Sequence, residues 1–224
     1  MAGRVNMKVF YGLLGGIAVV GAGAVWLAGT RNGGSAVQIL EAPIPLGTSA
    51  FPGYVIGSEN APVEIVEYAD FTCVHCAEFA ILQGPDVRRR LVDTGLARWR
   101  FRGFALNQAS LLPLHAAACV AEQGRFWEMS DSLMFNQRNW ISSGRALSDF
   151  RDYAREVGAD LDEYDACMKE ARYAARIMVT RDEIASSGIH STPTFDIGNM
   201  RVLGAIPFDS VRALVEKAAR EGRK

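Results

Sequence analysis

Val63-Glu-Ile-Val-Glu-Tyr-Ala-Asp-Phe-Thr-Cys-Val-His-Cys-Ala-Glu-Phe-Ala-Ile-Leu82 contains the chain's most informative chemistry. Its first part, rich in β-branched residues and apolar on both faces, predicts a central strand over Pro62–Tyr68, covered by helices on each side. A short turn with Asp70 follows, where that carboxylate suits a local cap. Cys73-Val74-His75-Cys76 then opens a segment, Ala77, Phe79, Ala80 and Leu82, that reads as helix. Two cysteines three apart lie on one face of a helical turn, so their sulfurs can close a small disulfide ring. Cys73 stands where unpaired backbone N–H groups and the positive end of the helix dipole favour a thiolate. The thiolate is the form that attacks and leaves in disulfide exchange. The stretch therefore implies dithiol chemistry, with Cys73 attacking and Cys76 resolving. A CxxC taken alone also suits zinc.

Glu67 shares the Val63 and Ile65 face by period-two counting. A carboxyl buried there, below a dithiol, has its pKa raised by desolvation and can pass protons as the sulfurs change state. The alternative places Glu67 at the strand end, solvated and idle.

The 224 residues, nearly half of them hydrophobic (49%), suffice for one domain of ordinary to large size with an inserted subdomain. Arg4, Lys8 and Arg31 are the only charges in residues 1–31, which leaves a mildly acidic body. That balance argues against nucleic acid as a partner. The Arg88-Arg89-Arg90 run reads as a solvated helix face. Val9–Thr30 runs 22 residues without a charge. As a helix it would span about 33 Å, against about 30 Å of hydrocarbon. Residues 1–30 are thus expected to be an uncleaved transmembrane anchor, with its basic end in the cytoplasm. The competing reading is a signal peptide cut near Ala22-Gly23-Ala24. Either exports the body. Four cysteines suit an oxidising compartment.

Residues 31–60, with Pro43, Pro45 and Pro52, read as a linker, with a short edge strand possible within Ala50–Ile56. Residues 61–107 form a strand–helix–strand half: the CxxC unit, a helix over Pro85–Thr94, and a strand over Ala97–Leu106. Residues 108–188 are helical throughout: helices lie over Pro113–Ala121, Arg125–Met134, Ala146–Val157, Leu161–Ala171 and Tyr173–Ser187. Residues 189–224 return to strands: Phe195–Gly198 and Met200–Leu203 as a hairpin, then a closing helix over Pro207–Arg220.

Together these features resemble the DsbA-like branch of the thioredoxin superfamily over roughly residues 54–220. Glu67-Tyr-Ala-Asp-Phe-Thr-Cys73-Val-His-Cys76 is similar to that family's signature Phe-x-Asp-Phe-x-Cys-Pro-x-Cys. The helical insert falls in the family's position. Gly188-Ile-His-Ser-Thr192-Pro193-Thr-Phe looks like its cis-proline segment, and Gly204-Ala-Ile-Pro-Phe208 like the entry to its last helix. The resemblance implies an α/β thioredoxin fold with an inserted helical subdomain, behind the N-terminal anchor or signal peptide. It implies a disulfide oxidoreductase of exported proteins, outside the cytoplasmic membrane, reoxidised by a quinone-linked DsbB-type membrane partner. The same parts can run as a reductase or isomerase, and a non-catalytic tethered chaperone module is the alternative from another class. No cofactor or metal is implied, and a monomer is expected because the added dimerisation domain of the isomerases is missing.

By position, Cys73 takes the nucleophile role and Cys76 the resolving one. Pro193 takes the place of the cis-proline, Thr192 offers backbone hydrogen bonds to a substrate strand, and Val74 borders the substrate. Val74 departs from the proline common there, which puts oxidising strength in doubt. His75 matches strongly oxidising members: an imidazolium beside Cys73 stabilises its thiolate. Cys119 and Cys167 are expected as a structural disulfide inside the insert. Two buried thiols, a second redox pair, or a metal pair with His115 are the alternatives.

Overall fold

The structure, a computed structural model, describes residues 51–222 and the backbone of residues 39–41. The expected anchor or signal peptide over residues 1–30 lies outside them. Among the described residues no helix is long and apolar enough to cross a membrane.

The strands are β1 (Ile39–Glu41), β2 (Tyr54–Ile56), β3 (Glu64–Ala69), β4 (Arg98–Gly103), β5 (Thr194–Ile197) and β6 (Met200–Leu203). They form one mixed sheet in the order β1-β6-β5-β3-β4-β2. β3 is parallel to β4, with Glu67 opposite Phe101, and antiparallel to β5, with Glu67 opposite Phe195. A parallel neighbour needs a crossover. It is made by α1 (Val74–Leu82) and α2 (Gly84–Val87), the latter continued by a π turn over Arg88–Val92. β5 and β6 form the expected hairpin, whose turn needs Gly198 at φ +60°.

Both edge strands arise within residues 31–60, which corrects the linker expectation there. β2 falls inside the anticipated Ala50–Ile56 stretch and pairs with β4; β1 pairs with β6 at the other edge. Three residues are too few to display a period of two, so main-chain pairing rather than side-chain pattern reveals β1.

The insert begins with a 3-10 turn, Gln108–Ser110, capped by the Asn107 side chain. It continues as α3 (Leu111–Ala121), α4 (Phe126–Phe135), α5 (Gln137–Ser143), α6 (Ala146–Glu156), α7 (Leu161–Lys169) and α8 (Ala174–Ser186). α5 is an element that residue patterning does not single out. The chain closes with α9 (Phe208–Glu221).

β3 is buried on both faces. Ile65 joins Phe79, Trp99, Phe195, Val202 and Val211 in one core cluster, whereas Val66 and Tyr68 face Ile184 of α8. The insert has its own core around Met129, Leu133, Trp140, Phe150 and Cys167, continuous with Phe71 and Cys76. Close docking of α3 on β4 explains a glycine in a strand: a Cβ on Gly103 would lie 2.3 Å from Leu114 Cδ2. Arg88 is only half-exposed and forms a two-pronged pair with Asp131 of α4, while Arg90 lies over Phe208. The arginine run therefore belongs partly to packing rather than wholly to a solvated face.

Candidate active site

The site is assembled at the start of α1. Cys73 is the N-cap, with extended φ −80° and ψ 119°, and no side chain caps the helix. The first N–H groups of α1 are therefore left to the Cys73 sulfur. Cys73 is half-buried and Cys76 fully buried behind it, both as free thiols. The Cys73 pKa is lowered to about 5. The Cys76 thiol is the main cause, by donating to the Cys73 sulfur; burial opposes it, and backbone N–H groups of Cys76 and His75 add to it. Cys76 is pushed the other way, well above the ordinary thiol value, first by burial and then by that same bond.

The Thr192–Pro193 peptide bond is cis, and Pro193 is buried. Thr192 presents its carbonyl 3.3 Å from Cys73 Sγ. In the thiol form the sulfur donates to that carbonyl. In the thiolate form the Thr192 side chain, beside the sulfur, also lowers the Cys73 pKa. Val74, next in sequence at the start of α1, is half-exposed.

Glu67 is buried, not solvated at a strand end. Only 2% of it is exposed. Desolvation raises its pKa to about 8, against a hydrogen bond of 3.0 Å donated by Trp99 Nε1. Glu67 and Cys76 are close enough that the Glu67 carboxylate charge disfavours the Cys76 thiolate. A cleft of about 630 Å³ between α1, α2 and α4 reaches Glu67 beside Trp99, Trp127 and Ile81.

His75 departs from the expectation. Its ring is largely exposed and its Nδ1 lies 2.9 Å from Glu78 Oε2. Glu78 is the chief cause of its raised pKa, and the Cys73 charge is the smallest. One helical turn brings residues i and i+3 together, which aligns the ring with Glu78 along α1 rather than with the sulfur. His75 reaches Cys73 mainly through its backbone N–H.

Two further residues hold the active loop. Asp70, fully buried, accepts from Thr72 N–H at 2.8 Å, from Ser110 Oγ at 2.6 Å and from Leu106 N–H at 3.2 Å. It closes the turn before Cys73 rather than capping α1, which corrects the cap expectation, and it ties that turn to the insert's entry. Gln137 of α5 donates from Nε2 to the carbonyls of Phe71 (2.7 Å) and Cys73 (2.9 Å). Sequence reading misses Gln137 because its partners lie over sixty residues away and no pattern in the polar stretch Gln137-Arg-Asn marks it.

Away from the CxxC, Cys119 and Cys167 are bonded at 2.07 Å and join α3 to α7. His115, buried beside them, accepts from Tyr173 N–H at 3.5 Å. Both sulfurs of the one metal-like cluster among the described residues, His115, Cys119 and Cys167, are thus spent on each other.

Residues 50–217 match the family described as Thioredoxin. The chain is 33% identical over 173 residues to Na(+)/H(+) antiporter NhaA 3 of Salinispora tropica, covering 76% of this chain but 25% of that protein. It is 23% identical to a Rickettsia conorii protein provisionally named a protein-disulfide oxidoreductase, over 76% of this chain and 61% of that one. The chain thus spans a quarter to three-fifths of the length of these relatives. Among solved structures, alpha-DsbA1 of Wolbachia pipientis superposes with a TM-score of 0.69 at 20% identity, over 81% of this chain and 94% of that chain. The chain belongs to the thioredoxin family, and its fold, helical insert included, is similar to that of the DsbA structure.

Proposed function

We propose that this protein is a thiol:disulfide oxidoreductase that places disulfide bonds in exported proteins. The observation that carries the reading is the Cys73 sulfur, half-exposed at a helix start, facing the Thr192 carbonyl of a cis Thr192–Pro193 bond with Cys76 buried behind. A substrate thiolate attacks Cys73 Sγ of the Cys73–Cys76 disulfide. The Cys73–substrate bond forms and Cys76 leaves with the electron pair. The second substrate thiolate then attacks the substrate sulfur, and Cys73 leaves. The substrate is oxidised by two electrons and the enzyme dithiol is reduced. Thr192 and Pro193 line the substrate side, and Val74 forms its exposed flank.

The reduced state supports this direction. A Cys73 thiolate stabilised to a pKa of about 5 favours the dithiol form, which makes the disulfide easier to reduce. Cys76, held protonated, needs a proton acceptor when the disulfide closes. Glu67, with a pKa of about 8 and a cleft leading to it, suits that role. The exchange itself needs no cofactor or metal. Regeneration falls to a quinone-linked membrane partner of DsbB type. The body works outside the cytoplasmic membrane, where the Cys119–Cys167 disulfide also persists.

The test is equilibration of the Cys73–Cys76 pair with glutathione. A potential near about −120 mV supports a disulfide donor, and one near about −270 mV, the thioredoxin end, overturns the direction in favour of a reductase.

A further inference from the structure

Gln137 opens α5, a seven-residue helix fixed by Trp140. That indole is buried, donates to the Leu133 carbonyl at 2.8 Å and packs edge-on to Phe150. The anchoring leaves Gln137, only 3% exposed, directed at the active loop. Its Nε2 meets two carbonyl oxygens, Phe71 O at 2.7 Å and Cys73 O at 2.9 Å. Two acceptors on one side fix the orientation of the amide, because an amide oxygen there would have no donor.

The Cys73 carbonyl is shared, since it also accepts the Ala77 N–H at 3.2 Å, the first turn of α1. Each peptide plane carries its carbonyl and its N–H on opposite edges. Holding the Phe71 and Cys73 carbonyls toward the insert therefore fixes the Phe71–Thr72 plane, one residue before the nucleophile, and the Cys73–Val74 plane directly after it. The Cys73–Val74 plane opens α1, so holding it sets the direction of the first turn, whose His75 and Cys76 N–H groups lie at the sulfur and are accepted by a thiolate. We propose that Gln137 is a positioning residue of the dithiol site: by clamping the Phe71 and Cys73 carbonyls, the helical insert sets the oxidising strength of the Cys73–Cys76 pair. This rests on the reading of dithiol exchange above, and gives the insert a part in the redox chemistry besides enlarging the fold. The titrating groups whose charges couple to Cys73 are Cys76, His75 and Glu67, whereas the Gln137 amide bonds only to the Phe71 and Cys73 carbonyls among the hydrogen bonds of the described residues.

The test uses Gln137→Met, which keeps length and removes both donors, and Gln137→Glu, which keeps shape should the methionine variant not fold. Three readouts are taken on each against the parent chain: the glutathione equilibrium constant, thiolate absorbance near 240 nm against pH, and thermal midpoints of the oxidised and reduced forms. The expected result is at least a tenfold shift toward a weaker oxidant, about 30 mV for a two-electron couple. A rise in the Cys73 titration midpoint and a larger loss of stability in the reduced form go with it. If the equilibrium constant moves less than twofold while both forms lose equal stability, Gln137 is merely structural and the proposal falls. The parent's own potential tests the direction of the reaction; the difference between parent and variant tests Gln137. The two can fail separately.

Discussion

Trp99 donates its indole N–H to Glu67 Oε2 at 3.0 Å, inside the sheet and beneath the dithiol. It is the one influence that lowers the Glu67 pKa against burial. Trp99→Phe keeps a ring and removes the donor, so the Glu67 pKa should rise above about 8. If Glu67 accepts the Cys76 proton, closure of the disulfide at pH 7–8 should slow in that variant and recover at higher pH. A pH–rate profile with a small dithiol checks this. An unchanged profile would remove Glu67 from the proton path.

The same carboxyl should mark the pH dependence of stability. Its folded pKa of about 8 lies above the ordinary carboxylate value, so folding favours its protonated form. Its contribution is fully present below about pH 4.5 and is lost as pH rises through about 8. Urea unfolding of the oxidised protein isolates it, because Cys73 does not titrate there. The parent should weaken between pH 5 and 9, and Glu67→Gln should weaken less over that interval. Equal slopes would mean the carboxyl is solvated in solution.

The reduced form carries the opposite dependence. Cys73 has its folded pKa depressed to about 5, so the stability it adds is fully present above the unfolded thiol pKa and is lost as pH falls through about 5. Reduction of the Cys73–Cys76 disulfide should therefore raise the thermal midpoint at pH 7, and the gain should shrink or vanish at pH 4. Scanning calorimetry of both redox forms at the two pH values decides. A midpoint lower on reduction at pH 7 would contradict a stabilised thiolate and, with it, the oxidising direction.

These expectations draw unequally on sequence and structure. The strand and CxxC helix are legible between residues 63 and 82 because each is a local pattern, β-branched density and i,i+3 spacing, and the later hairpin is legible from its Gly198-Asn199 turn. The insert is legible as a run of helical stripes. The short strand β1 is not, since three residues show no period. The supports of the site are hidden for a different reason. Glu67 and Trp99 stand 32 residues apart, and Gln137 stands 64 from Cys73, so nothing local couples them. Proximity of Pro193 to Cys73 enters only through the family resemblance, because spacing alone says nothing of a cis bond. His75 shows the converse error. Its identity fits a thiolate partner, but Glu78, one helical turn away, competes for the ring.

That competition has a measurable consequence. Glu78→Gln removes the main cause of the raised His75 pKa, so the His75 titration midpoint should fall toward its ordinary value of about 6.5. The Cys73 midpoint should move little, because the ring acts on the sulfur only weakly and the backbone N–H of residue 75 is untouched. Two-dimensional NMR of the imidazole, beside absorbance at 240 nm, reads both in one sample. A Cys73 midpoint that rises by a full unit would restore the ring as the thiolate's partner.

The Cys119–Cys167 bond closes a separation of 48 residues and fastens α3 to α7, inside the core of the insert. On the chain-entropy account such a loop contributes about 4 kcal/mol, chiefly by restricting the unfolded chain, and often less is realised. Replacing both by alanine should lower stability by about 2–4 kcal/mol in urea unfolding. The fall should be similar whether the CxxC is oxidised or reduced, because the bond lies in α3 and α7 and touches neither active sulfur. A second redox pair would behave otherwise. Its removal would change the number of electrons exchanged with glutathione, and alkylation after mild reduction would trap Cys119 and Cys167 together with Cys73. Burial argues for the structural outcome: both sulfurs are at most 1% exposed, beyond the reach of an attacking thiolate without opening of the insert. Loss of exchange activity in the double-alanine variant, with stability unchanged, would reverse that assignment.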